Sequence, residues 1–317
     1  MDRLLYHPAF AGILAALLAM TTFHVPGMAM VGLFIPLPIY LTGFRHGGYA
    51  AMLAAVIPLM MWLFSGSGGA GMITFLGLFL LMPILVTRLM RDRGWSLATV
   101  LMVGYLLAGG VLISLVALLP MLGVDFAASI AASAETLKEV LLNSLKQERT
   151  LSTGEMAHVT KTIDQMVRTM VYVAPFGMGA FWFFYHLMSI NMSRLIMRSS
   201  GLWGAQETPI TQFRLPQNWV WLPLLSGFTA WAGDGQLKML AVNLAMFLML
   251  PYLFQGSAVL EAWFQKLKLS GGMRMLFWIT VFVFWLQLFL VMLALTGLFD
   301  TWFDFRRRMA EVHNKEG

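Results

Sequence analysis

Residues 275–298 read MLFWITVFVFWLQLFLVMLALTGL, without one charged side chain. A stretch of about 20 apolar residues is long enough to cross a hydrocarbon core roughly 30 Å thick. Comparable stretches recur along the chain, and they constrain its fold more than any single motif does. A soluble domain carries about 25% charged residues; here 11% are charged, 59% are hydrophobic and the mean hydropathy is +0.75. One water-soluble core cannot hide that much apolar surface, because core volume does not outgrow surface at 317 residues. The sequence implies a polytopic membrane protein. None of the stretches alternates apolar and polar residues as a membrane β-strand would, so the expected class is all-α, a transmembrane helical bundle.

About nine spans are expected on this basis, at 4–23, 25–42, 48–64, 69–87, 97–119, 170–192, 219–231, 237–254 and 275–298. The charged first residues and apolar run of MDRLLYHPAFAGILAALLAM imitate a signal peptide, but further spans follow at once, so an uncleaved first span is expected. Lys and Arg in short loops set orientation. With the N-terminus in the cytoplasm of a bacterial cell, Arg3, Arg45, Arg88, Arg91, Arg93, Arg194, Arg198, Arg214, Lys266, Lys268 and Arg274 all fall inside. The early outside loops, around His24 and SGSGGAG, hold no Lys or Arg. Nine crossings would leave Arg306, Arg307 and Arg308 outside, against this rule, so the side of the C-terminus and the crossing at 219–231 stay open. The net charge of +6 is accordingly assigned to topology rather than to nucleic-acid binding.

Residues 125–168 make the one sizeable polar region. Ile130, Ala134, Leu137, Leu141 and Leu145 recur at three- and four-residue steps, the stripe of an amphipathic helix. Ser152 with Glu155 three residues later has the form of a capping box. Met156, Val159, Ile163, Met166 and Met170 then carry a second stripe into span six. The pattern predicts an outward-facing helical hairpin between spans five and six, turning at 147–153. It either caps the bundle or serves as a lid or docking surface.

The corner GFRHGGYAAMLAA interrupts the apolar sequence with Arg45, His46 and three glycines. Its bottom-up reading is a tight cytoplasmic turn anchored by Arg45. The first six spans, with this Gly-rich basic turn opening the third, also resemble the substrate-binding component of energy-coupling-factor transporters. More specifically, the chain resembles the YybS-like family of bacterial membrane proteins. RLPQNW (214–219), NLAMFLMLPYLFQGSAVL (243–260) and LTGLFDTWFDFRRR (295–308) carry that likeness. The resemblance implies a six-span module over 1–200, which includes the hairpin, followed by a C-terminal part of about three spans over 201–317. It also implies partners: a separate ATPase and a membrane coupling subunit.

Candidate sites come from residues that are costly or unusual inside lipid. Ala11, Ala15 and Ala19 lie on one face of span one at small-xxx-small spacing, which lets helix backbones approach closely. In the transporter component such a face docks the coupling subunit; packing within the bundle explains the same spacing. Pro36 and Pro38 interrupt span two, and broken helices line binding sites in many transporters. Polar groups within spans face inward: His186 and Asn191 in span six, Asn243 in span eight, Gln287 in span nine. Tyr40, Tyr185, His186 and Asn243 are the expected ligand-binding residues, with Phe181, Trp182, Phe183 and Phe184 as aromatic neighbours able to stack on a planar solute. The bland alternative is interhelical hydrogen bonding. Asp234 between glycines reads as a turn. Asp300, Asp304 and Arg306 can pair locally, and Arg306, Arg307 and Arg308 are expected in partner docking.

Several chemistries have no sequence support. Cysteine is absent, so there is no disulfide, thiolate metal site or cysteine nucleophile. There is no G-x-x-x-x-G-K-[ST] loop for ATP phosphates and no H-E-x-x-H, and no G-x-S-x-G elbow. The six histidines are scattered singly. No enzyme, metal or cofactor is expected. The leading functional expectation is a solute-binding, transport-related component of the bacterial inner membrane. The other is a membrane scaffold for cell-envelope proteins, working through the hairpin and the basic tail.

Overall fold

The computed structural model describes residues 6–65, 75–118, 126–148, 153–203 and 210–313. Among the described residues every regular element is helical. The α-helices in order are α1 Pro8–His24, α2 Leu37–His46, α3 Gly48–Phe64, α4 Leu81–Thr87, α5 Leu97–Leu118, α6 Phe126–Glu148, α7 Thr153–Ser199, α8 Trp221–Ala232, α9 Gly235–Lys266, α10 Gly271–Thr280, α11 Leu286–Phe303 and α12 Phe305–His313. Arg3, Ser152 and all of SGSGGAG beyond Ser65 lie outside the described residues.

Three helical stretches are long and apolar enough to cross a membrane: Gly154–Ser199, Gly235–Lys266 and Gly271–Phe303. Pro8–His24, Gly48–Phe64 and Leu97–Leu107 are apolar but shorter. The departures from nine uniform spans have local causes. The expected second span splits into a 3-10 turn, Ala29–Phe34, and α2, parted at Pro36, where proline removes a backbone donor. The expected seventh is a helix of 12 residues, about 18 Å long and short of the hydrocarbon thickness. The expected sixth is part of a single 47-residue helix continuous with the second amphipathic stripe. The last stretch bends through a π-helical turn at Val281–Trp285. There the rings of Phe277 and Phe289 lie 5.8 Å apart, although a straight helix would carry their backbones about 18 Å apart.

The chain forms two compact units. One comprises Met1–Ala108 and Phe181–Pro209, the other Gly109–Ala180 and Ile210–Gly317. Helices α5 and α7 therefore contribute to both.

In the first unit, α1 packs on α3 through small residues. Ala11, Ala15 and Ala19 are buried in one cluster with Ala51, Ala54 and Ala55. A Cβ on Gly12 would lie 2.5 Å from the Ala54 carbonyl oxygen, so the two backbones nearly touch. The GFRHGG corner is a built joint rather than a plain turn. Gly47 takes φ +95°, a conformation favouring glycine, and the Gly48 amide opening α3 donates to Asp92 Oδ2 at 3.0 Å. A carboxylate at a helix N-terminus meets the positive end of the helix dipole. His46, at the exposed end of α2, is held below the usual imidazole pKa, first by partial burial and then by the charges of Arg45 and His7.

In the second unit, α9 and α11 approach at Gly256 and Gly297. A Cβ on Gly256 would overlap the Leu293 carbonyl oxygen, and one on Gly297 that of Tyr252. The same unit holds α6 and the first part of α7. Lys138 on α6 reaches Asp164 on α7 at 2.6 Å and Glu135 at 2.8 Å. These hydrogen bonds, that of Asp164 first, hold the ammonium above the usual lysine pKa.

Candidate functional site

The expected ligand-binding residues divide between the units, and each has partners within its own. Tyr40 from α2 and His186 from α7 are fully buried, and the Tyr40 hydroxyl shares a 3.2 Å hydrogen bond with His186 Nδ1. The adjacent Tyr185 donates to the Gly32 carbonyl at 2.9 Å, in the segment that Pro36 breaks. The rings of Trp182 and Tyr185 lie 4.9 and 5.0 Å from the imidazole. Ser189 and Ser193 follow on the same buried face of α7, and each hydroxyl returns to a carbonyl four residues back. A solute entering this cluster would have to displace a partner from each tyrosine hydroxyl.

Asn243, on α9 in the second unit, repairs a backbone. Its side-chain oxygen accepts from the Phe176 amide at 2.8 Å, and its amide nitrogen donates to the Tyr172 and Met239 carbonyls, both at 2.8 Å. Tyr172 and Phe176 are i and i+4, the two groups an unbroken helix joins to each other. They flank Pro175, inside α7. A side chain inserted into the helical ladder beside a proline accounts for this polar group within an apolar span. Of the other polar span residues, Asn191 is exposed and accepts from Arg194 at 3.2 Å, and Gln287 is exposed. Asp234 stands in the turn before α9.

The densest polar arrangement lies where the three C-terminal sequence blocks meet. Asp300, in the last turn of α11, is 4% exposed, and Arg306 on α12 is 7% exposed. Their Nη2 and Oδ2 atoms are 2.6 Å apart. Arg306 Nη1 also donates to the carbonyls of Thr211 and Phe213, at 2.7 and 2.8 Å. Gln255 on α9 donates to Asp300 Oδ2 at 3.2 Å and accepts from the Leu215 amide at 3.0 Å. Beside them Arg214 grips Asp304 with two nitrogens, at 2.7 and 3.2 Å. That grip holds the Asp304 carboxyl below the usual aspartate pKa.

Asp304 itself is the left-handed residue, φ +45°, that ends α11 and turns the chain back. The turn brings Arg306 to Asp300. A buried ion pair contributes little net stability unless its remaining valences are satisfied. Here Asp300 Oδ1 and Arg306 Nε find no hydrogen-bond partner among the described residues. Arg306, expected in partner docking, is thus turned inward, whereas Arg307 and Arg308 on the same helix are exposed. Sequence pattern missed Gln255 because a glutamine in a span announces no partner; its place four residues after Pro251 in a resemblance block was the available signal.

An apolar groove of about 660 Å³ runs beside this network. One wall is the α9 stripe Gly256, Val259, Leu260 and Trp263, and another is the α11 stripe Phe289, Met292, Leu293, Thr296 and Phe299. Phe305, Arg308 and Met309 of α12 complete it with Lys266. The three- and four-residue steps along each helix place these side chains on one face. The Thr296 hydroxyl is bound to the Met292 carbonyl, so the lining is apolar apart from two cations. Among the described residues no group of three or more His, Asp or Glu side chains is placed to hold a metal.

Helices of spanning length with exposed apolar faces define, among the described residues, an all-helical membrane protein. The chain belongs to the family described as predicted membrane protein DUF2232, whose pattern covers residues 13–301. No curated protein and no solved structure matches it.

Proposed function

We propose that this is a multi-pass protein of the bacterial cytoplasmic membrane that binds a small amphipathic solute as part of a transport-related assembly. The groove between α9, α11 and α12 carries the reading. Its volume of about 660 Å³ falls in the range of small-molecule sites, which are mostly apolar with a few polar groups. Tyr40, Tyr185, His186 and Asn243 serve better as internal hydrogen-bonding groups than as ligand contacts, since their polar atoms already have partners. With no phosphate-cradling loop of its own, the protein would depend on a separate ATPase and a membrane coupling subunit. The likeness to the YybS-like family and to the energy-coupling-factor binding component supports that dependence. Because Ala11, Ala15 and Ala19 are packed against α3, the coupling subunit would meet another surface.

The topology that goes with this reading has a cytoplasmic N-terminus, α6 with the start of α7 as an outward hairpin, and about nine spans of which one late segment does not cross, so that Lys266 and Arg308, which line one groove, stand on the same side. One observation favours a second reading as a scaffold for envelope proteins. Leu137, Val140 and Leu141 on α6 are exposed, an apolar edge suited to a protein partner.

Purification of the tagged protein from native membranes, with mass spectrometry of what accompanies it, tests the two. Stoichiometric recovery of an ATPase and a membrane coupling subunit is the expected result. Recovery of envelope-assembly proteins without an ATPase, lost on deletion of 125–168, would replace transport by the scaffold.

A further inference from the structure

The two cations in the groove point to its occupant. Lys266 ends α9, just before the turn that leads into α10, and Arg308 stands on the face of α12 that carries Phe305 and Met309. Of the carboxylates near them, Glu261 is paired with Arg274, Asp304 with Arg214 and Asp300 with Arg306. Lys266 and Arg308 make no ion pair with a described residue. A site with apolar walls and two cations that pair with no described carboxylate is complementary to a molecule with an alkyl chain and an anionic head. Arginine's fork and lysine's point charge are the usual partners of a phosphate, and basic residues where a helix leaves the bilayer attract anionic lipid.

Resting on the groove as the binding site, we propose that it holds one anionic phospholipid. The acyl chain lies along Val259, Leu260, Trp263, Met292 and Thr296, and the lipid phosphate lies between Lys266 and Arg308. Gly256, where α9 meets α11, belongs to the lining. Bulk lipid would cover any exposed apolar face, so the distinguishing property of this site is selectivity for charge.

Native mass spectrometry of the full chain in neutral detergent reads that selectivity, with phosphatidylglycerol and phosphatidylcholine of the same chain length as probes. Phosphatidylglycerol is expected to bind about tenfold more tightly or better, because basic residues at the membrane surface attract its anionic head. The double variant K266Q/R308Q should lose the preference and keep the weaker neutral binding. Thr296→Trp, which fills the groove, should abolish both, and Leu260→Trp repeats the test from α9 should the first fail to fold. An unchanged preference in K266Q/R308Q, with binding abolished by Thr296→Trp, overturns the anionic class and leaves the groove as a site. Lipid binding indifferent to both tryptophans overturns the groove itself. Displacement of the lipid by millimolar inorganic phosphate would assign the cations to a soluble anion and refute the lipid.

Discussion

The two units solve the same problem, placing polar groups inside a lipid-facing bundle, in different ways. In the first, the buried groups are neutral and pair off singly: Tyr40 with His186, Tyr185 with the Gly32 carbonyl, and Ser189 and Ser193 each with a carbonyl of their own helix. In the second, Asp300, Arg306 and Gln255 form one connected network that contains an ion pair and ties α9, α11 and α12 to the backbone at 211–215. Neutral pairs in lipid add roughly 1 kcal/mol or less each, so the first unit owes its cohesion to the packing of Ala11, Ala15 and Ala19 on α3. A buried ion pair adds little over an apolar replacement, yet removing one partner is severe. The second unit is therefore sensitive to half of the network and tolerant of losing the whole.

That contrast can be broken first at Asp300. Asp300→Ala strands the Arg306 guanidinium and should cost about 3–5 kcal/mol, read by thermal unfolding in detergent. The paired replacement D300L/R306M should recover most of the loss, and failure to recover would mean that the charges do more than hold α12 in place.

Next in size is Gly297→Leu. The backbones leave no room for a side chain, and overpacking of this kind costs about 1–3 kcal/mol or more. Gly177→Ala, at a helical glycine facing open space, should be neutral or stabilising by about 0.5–1 kcal/mol. Equal effects from the two would remove the close helix contact from the account.

In the first unit, Tyr40→Phe and His186→Phe should each cost about 1 kcal/mol. The double variant should cost little more than either alone, because the two share one bond. Additive losses would mean that each side chain has a separate role.

The smallest expected effect is at Asp304. Its folded pKa is depressed, so its contribution is complete above the ordinary aspartate value of about 3.9 and is lost as the pH falls through the lower folded value. The partly exposed Arg214 pair limits this to about 0.2–1 kcal/mol. Asp304→Asn should flatten the acid limb of the stability profile by that amount, and an unchanged limb would assign it to other carboxylates.

Much of the helical content was legible from composition alone. The apolar runs alone placed α3 and α5 within a residue of their ends, because a helix bounded by charges and glycines carries its limits locally. The fusion of the hairpin stripe with span six into α7 was only partly legible: the stripe pointed into the span, but nothing local says that a helix continues through Pro175. The neighbour Asn243, which bridges the opened backbone, comes from a distant helix. The shortness of α8 and the bend at Val281–Trp285 were likewise hidden, since both keep an unbroken apolar sequence. The candidate site was half visible: Asp300, Asp304 and Arg306 were marked as a local pair, but their partners Gln255 and 211–215 were not.

By itself the sequence determined that the chain is an all-helical membrane protein and which residues are unusual within its spans. Burying backbone amides in lipid leaves the helix as the structure for long apolar stretches, and that constraint acts on each stretch independently. Only the tertiary structure decided what the unusual residues do. It turned Arg306 inward, set Asn243 into a broken helix and left Lys266 and Arg308 facing an apolar groove. Those roles depend on which helices become neighbours, and at Gly256 and Gly297 that is fixed by the contact of two backbones, which no local pattern encodes.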